Sequence, residues 1–244
     1  NIDLRLNGID LKVGQFGTVV GNEVYNYNEN AFYTHSWGFS IEPTHHTGIL
    51  ASYTVSDDLQ ISAGLANSTT AAINANGVGS SKSILASVSY TLPSGAGALA
   101  GTELYYGLVS GNADGASGDN TDYHYSSIAL PELVANLTTK VVWDHVEHAG
   151  TTGYDGDNSD VVGLYLGYSL NDTTTLNVRY EAGNINTHAG SGTATTSKLS
   201  GGNQDNLQSI SVGVNHKIWD NVISRIEYRH DEVDNTSGDT SDNQ

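Results

Sequence analysis

Cysteine and methionine are absent, and proline occurs only 3 times in 244 residues. Without cysteine there is no disulfide framework, no thiolate metal site and no thiol nucleophile. Without an initiator methionine the expectation is a mature product or a fragment. Basic residues are scarce: 9 Lys and Arg against 27 Asp and Glu leave a net charge of −18. A surface of that sign repels phosphate backbones, so nucleic acid is excluded as a partner of a basic face. No stretch reaches the roughly 18 consecutive apolar residues that a transmembrane helix needs, and mean hydropathy is −0.31. That excludes a helical span but not a membrane β-barrel, whose strands alternate and never look hydrophobic as a block. No basic stretch followed by an apolar run opens the chain, so any signal peptide is expected to be already removed or not represented in this sequence.

What is abundant points to strands and turns. Glycine occurs 28 times and tyrosine 14, with Thr, Ser, Asn and Val recurring in short segments. Apolar residues alternate along Ile49, Ala51, Tyr53, Val55, then Leu59, Ile61, Ala63, Leu65, and again Ile84, Ala86, Val88, Tyr90, Leu92. A period of two is the strand signature. Similar segments lie near 98–109, 121–130, 133–146, 160–170, 174–184, 207–218 and 222–231, and two more, at 2–6 and 9–16, flank an Asn7-Gly8 hairpin turn. That predicts twelve strands and no substantial helix.

The connections alternate strictly between short and long. Short ones fall at Asn7-Gly8, Ser56–Asp58, Pro93–Gly97, Pro131-Glu132, Asn171–Thr173 and Trp219–Asn221; long ones at 17–46, 67–82, 110–120, 147–159, 185–206 and from 232 onward. In an up-and-down meander successive connections lie at opposite ends, so one end is trimmed and the other elaborated, as in outer-membrane barrels with short periplasmic turns and long extracellular loops. The long connections carry thirteen acids against Lys82 and Lys198, so the excess charge gathers at one end.

Within strands the charges form ladders of alternating sign opposite the apolar residues: Asp3 and Arg5, Asp10 and Lys12, Lys140 and Asp144, Arg179 and Glu181, then Arg225, Glu227, Arg229 and Asp231. Such a face cannot fill a dry core, because unpaired buried ions cost several kcal/mol each. It can line a wet lumen. A soluble β-protein, with the ladders facing bulk water, predicts the same alternation. Tyr53, Tyr90 and Tyr168, each three residues before a short turn, favour the membrane reading, since they mark an interfacial girdle. Tyr106, Trp143, Tyr180 and Tyr228 form a more ragged set toward the long loops.

Several blocks are similar to a known family. Leu11-Lys12-Val13-Gly14-Gln15-Phe16, Gly21, Asn30-Ala31-Phe32-Tyr33-Thr34-His35-Ser36 and His46-Thr47-Gly48-Ile49-Leu50-Ala51-Ser52-Tyr53 resemble the OmpL-like β-barrel porin type 2 family of Gram-negative outer membranes. Arg225-Ile226-Glu227-Tyr228-Arg229-His230-Asp231 resembles its penultimate strand region. The interior matches mainly by strand rhythm, and Val19-Val20 stand where members often have proline before the glycine. The resemblance implies a single barrel domain over 1–244 lacking N- and C-terminal parts, with the end of the chain, Asp239 to Gln244, supplying no strand and a closed barrel of about 12–16 strands.

Candidate sites follow from charge and aromatic content. The pore-lining candidates are Arg5, Lys12, Glu103, Lys140, Asp144, Arg179, Glu181, Arg225, Glu227 and Arg229. Tyr25, Tyr27, Phe32, Tyr33 and Trp37 lie with Phe39 in the long 17–46 connection, and six aromatics do not belong in a free surface loop. That connection either folds into the lumen as a constriction or packs on the rim or a partner. Asp155, Asp157 and Asp160, in Asp155-Gly156-Asp157-Asn158-Ser159-Asp160, have the alternating oxygens of a Ca²⁺ loop but no bidentate glutamate behind them, so a solvated acidic loop competes. His145 and His148 with Asp144 make a poor metal cluster, because the imidazoles fall on opposite strand faces. His45-His46 read as a loop or interfacial pair. No Gly-x-Ser-x-Gly, P-loop or dinucleotide fingerprint occurs; an outer-membrane lipase is the competing enzyme class, and the expectation is of no enzyme and no cofactor.

The expectation is an integral outer-membrane porin in contact with the bilayer and lipopolysaccharide, passing small hydrophilic solutes by diffusion with a mild cation preference set by its acidic mouth. Many general porins are trimers, so a homo-oligomer is expected. The competing expectation is a structural barrel with a plugged lumen, scaffolding a surface complex or binding Ca²⁺ through its acidic loops.

Overall fold

A computed structural model describes residues 2–6, 8–69, 82–112, 120–149, 157–187, 203–234 and 240–243. Thirteen antiparallel strands run in sequence order: β1 Ile2–Leu6, β2 Ile9–Gly17, β3 His45–Ser56, β4 Leu59–Ala66, β5 Ser83–Thr91, β6 Glu103–Asn112, β7 Asn120–Leu130, β8 Leu137–Ala149, β9 Asp157–Asn171, β10 Thr174–Thr187, β11 Asn203–Trp219, β12 Val222–Asp234 and β13 Thr240–Asn243. Every strand pairs with its chain neighbour, which is the up-and-down barrel topology. Among the described residues no ladder joins β1 to β13.

Twelve of these strands occupy the predicted segments. The thirteenth corrects the reading of the chain's end: Thr240–Val233 to Asn243–His230 is an antiparallel ladder on β12. Ser and Asp in that stretch carry no apolar alternation, so nothing in its pattern announces a strand; the edge of β12 supplies the template. Two starts are also later than predicted. Residues 94–99 form a 3₁₀ turn after Pro93, and Gly97 and Gly101 take φ of +64° and +84°, so β6 waits until Glu103. Asn136, at φ +64°, likewise delays β8 to Leu137. His45-His46 open β3 instead of preceding it.

The two faces of the sheet settle which side touches what. On β12, Ile226 is 75% exposed and Tyr228 52%, whereas Arg229 is 5% exposed. Ile49, Ile61, Leu65, Ile84 and Val162 are exposed on the same outer face, as are Tyr53, Tyr90 and Tyr168. An apolar surface this extensive belongs in hydrocarbon. The opposite face is curled around the connection 18–44, which touches side chains from β3 to β12.

Candidate functional site

The interior face has two chemically different arcs, and the segment 18–44 bridges them. Between β2 and β8 the segment packs on apolar side chains. Phe16, Leu50, Leu85, Val109, Tyr125 and Val142 pack with Val19 and Val20 of the segment. There the segment lies so close to β6 that a Cβ on Gly107 would fall 2.1 Å from the Val19 carbonyl oxygen, and Tyr105 Oη donates to the same carbonyl at 2.6 Å. His46, fully buried, shares a hydrogen bond of 2.9 Å with Thr18 Oγ1 at the segment's start.

From β9 to β12 one residue per strand, Val161, Ile185, Leu207 and Val233, packs with Trp37, and the charged side chains beside them grip the segment's main chain. Glu227 accepts from the amides of Tyr33 and Thr34 at 2.8 and 2.9 Å and from the Thr34 hydroxyl at 2.6 Å. Glu181 accepts from the amides of Trp37 and Gly38 at 2.7 and 3.2 Å, the first turn of the short helix α1, Trp37–Ser40. The arginines take the carbonyls: Arg225 donates to Tyr27 and Asn28 at 2.6 and 2.8 Å, Arg179 to Thr34 at 3.0 Å, and Arg229 to His35. A ladder of alternating sign suits this task, because a peptide backbone alternates donor and acceptor.

Two side-chain contacts complete the hold. Trp37, 1% exposed, donates its indole N–H to Asp231 at 3.0 Å, and Phe32 lies under the Arg179 guanidinium at 4.7 Å. Glu23 of the segment binds Arg179 at 2.7 Å and also accepts from the Ser36 amide at 2.9 Å and hydrogen-bonds His35 at 3.0 Å. Burial pushes the Glu23 carboxyl up, but His35, Arg179 and the Ser36 amide together hold it below the ordinary glutamate range. Glu42 behaves in the opposite way. Burial, then the neighbouring Asp144 carboxylate, raise it well above the ordinary range, and the two carboxyl groups share a hydrogen bond. Gly21, at φ +98°, makes room for this group: a Cβ there would lie 2.0 Å from Glu42 Oε2.

The predicted site residues separate into distinct places. Arg179, Glu181 and Arg229 are 0%, 1% and 5% exposed, so they face segment atoms and not open water. Arg225 and Glu227 are half-buried beside the segment, and Asp144 is buried under Gly38. Lys12, on β2 opposite Leu50, and Glu103, at the start of β6, are exposed; Lys140 is half-buried on β8. Arg5 stands opposite Asp10 in the β1–β2 ladder, with its side chain outside the described residues. Tyr25, Tyr27 and Tyr33 are exposed, with Tyr27 and Tyr33 stacked at 5.6 Å, whereas Phe32 and Trp37 are buried.

Of the calcium candidates only the Asp160 side chain lies among the described residues. Asp155 and the side chain of Asp157 lie outside the described residues. Asp160 is not in a loop but within β9, where its carboxylate accepts from Trp143 at 3.0 Å and hydrogen-bonds His145 at 2.9 Å on the outer face. No group of three or more His, Asp or Glu among the described residues is arranged to hold a metal. Sequence reasoning missed Glu23 and Glu42, which carry no local signal of their wall partners.

Similarity to solved structures is confined to fold. The chain superposes on outer-membrane expressed OmpT of Vibrio cholerae with a TM-score of 0.65 at 14% identity, covering 95% of this chain and 69% of that one. It matches the outer membrane channel DcaP of Acinetobacter baumannii at 0.61 and 11% identity, covering 99% and 70%. It matches Pseudomonas aeruginosa OccK7 (OpdD) at 0.55 and 13% identity, covering 99% and 64%. No curated protein matches the sequence. The model of the family described as "Putative beta-barrel porin-2, OmpL-like" matches residues 2–244, so the chain belongs to that family, as an integral β-barrel of the outer membrane.

Proposed function

We propose that the protein is a porin for passive diffusion of small hydrophilic solutes, with its passage narrowed by the segment 18–44 and with a mild preference for cations. No bond chemistry is needed. The observation that carries this reading is that the segment leaves part of the interior open: a cavity of about 370 Å³ persists between it and the short-turn end of the wall, with Lys140 and Glu103 on its surface. The cation preference rests on the net charge of −18, since acids concentrate cations within a Debye length of roughly 8–10 Å.

A second reading, a plugged structural barrel, is favoured by the density of the grip on the segment. Planar-bilayer recordings of the full-length protein separate the two. The porin gives discrete conductance steps, and in a KCl gradient its reversal potential has the sign of cation selectivity, weakening as ionic strength rises. An anion-selective potential overturns the charge argument, and the absence of any step establishes the plug.

A further inference from the structure

Below the segment, toward the short turns, Phe32 forms one side of the cavity, and Glu103, Thr138, Lys140, Tyr165 and Asn177 project from the wall. Glu103, Ala129, Lys140 and Tyr165 are successive partners across β6 to β9. Glu103 and Lys140 are therefore two strand spacings apart, roughly 10 Å between Cα atoms, and only the methyl group of Ala129 stands between them. Neither forms a salt bridge within 4.0 Å among the described residues. From β9 to β12 the wall pairs its charges with the segment; here Lys140 and Glu103 face the same space, with the buried Asp144 carboxylate as the second acidic neighbour of Lys140.

A third group sharpens the chemistry. Asn177 is 6% exposed, lines this cavity, and its Nδ2 has no hydrogen-bond partner. Its strand partner is Gly167, and Gly167 pairs in turn with Thr138. The missing side chain at 167 lets Thr138 and Asn177 lean over β9 from either side: a Cβ there would lie 2.6 Å from Thr138 Oγ1 and 3.5 Å from Asn177 Oδ1, and Thr138 Oγ1 is already turned to the Gly167 carbonyl at 3.2 Å. An orphaned buried amide donor costs free energy until an acceptor reaches it. The Lys140 ammonium and the Asn177 amide both donate, and Glu103 accepts.

The geometry points to a binding subsite for short zwitterionic amino acids, with the solute carboxylate on Lys140 and Asn177 and its ammonium on Glu103. A dianion meets the Glu103 carboxylate, a dication meets Lys140, and a neutral polyol gains neither charge pair. The subsite rests on the channel reading only for the route by which solute arrives.

Four-carbon probes of matched length test it: γ-aminobutyrate, succinate, putrescine and erythritol, applied to the full-length protein. In planar bilayers γ-aminobutyrate blocks the open-channel current at a concentration about tenfold below that of the other three. Lys140→Gln or Glu103→Gln each raises that concentration by about tenfold, the scale of one charge-assisted contact, while conductance in KCl persists. Equal block by all four probes, or block unchanged in both variants, overturns the subsite. Block by succinate that Lys140→Gln abolishes and Glu103→Gln strengthens replaces it with an anion site. Calorimetric titration of the detergent-solubilised protein reads the same order of affinities without current. A protein that conducts nothing but binds γ-aminobutyrate refutes the channel and keeps the subsite, and one that conducts but shows no γ-aminobutyrate heat does the reverse.

Discussion

Glu227 and Glu181 hold the segment 18–44 through backbone amides, and Arg179 sits between them with Glu23 on its other side. Replacing Arg179 with methionine keeps the volume but leaves Glu23 and Glu181 buried without their cation, and breaking a buried pair in this way costs about 3–5 kcal/mol. The expected result is a lower temperature for the loss of heat-resistant gel mobility, together with noisier current. Gly38→Ala is the steric counterpart. A Cβ at 38 would lie 2.3 Å from Asp144 Oδ2, so the Asp144 carboxylate or the α1 turn must give way, the contact between them is lost, and cleavage of the segment by added protease should accelerate severalfold. These residues were only partly legible in sequence. The ladder Arg179, Glu181, Arg225, Glu227, Arg229 was plain from its period of two, but not what it touches, because Glu23 and Arg179 are 156 residues apart. Glu23 and Glu42 were indistinguishable from the other acids of the long connections.

At the scale of elements, the segment is docked by groups with opposed responses to pH. Glu42 faces Asp144 of β8 and also feels Glu23 and Glu181 of β10, all carboxyls, so it binds its proton more tightly when docked than the ordinary value of 4.5. Docking therefore keeps the most advantage below that value and loses it as pH climbs toward the raised one. Glu23 works the other way: its docked affinity for a proton is lowered, so its contribution is present above the ordinary range and lost as pH falls through the docked value. Wild-type protein should show a segment increasingly open to protease as pH rises from about the ordinary glutamate range, and Glu42→Gln should flatten that rise. A flat wild-type profile would refute the shared proton. The strands themselves were readable from alternation, since their outer face is set by lipid. The β13 ladder was not, because a short polar edge strand is specified by its neighbour and not by its own pattern.

The whole molecule is a cylinder wall whose outside obeys one rule and whose inside obeys two. Outer residues needed only to be apolar, so twelve of the thirteen strands and their orientation could be read from periodic segments and an alternation of short and long connections. On the inner face the segment 18–44 meets mainly apolar side chains from β2 to β6 and, from β9 to β12, both the ionic ladders and an apolar set around Trp37, a division visible only once the segment is in place across both. The sequence shows that a connection with six aromatics is no free surface loop, but not whether the lumen or the rim receives it, nor that Phe32 and Trp37 are buried while Tyr25, Tyr27 and Tyr33 stay exposed.

Since the wall recognises amides and carbonyls, it is largely indifferent to which side chains the inserted peptide presents at its exposed positions, such as Tyr25, Tyr27 and Tyr33. Those three positions can be rewritten while Gly21, Gly38, Trp37 and the ionic grip are kept, which turns the barrel into a template for engineered nanopores whose aperture chemistry is chosen at the bench.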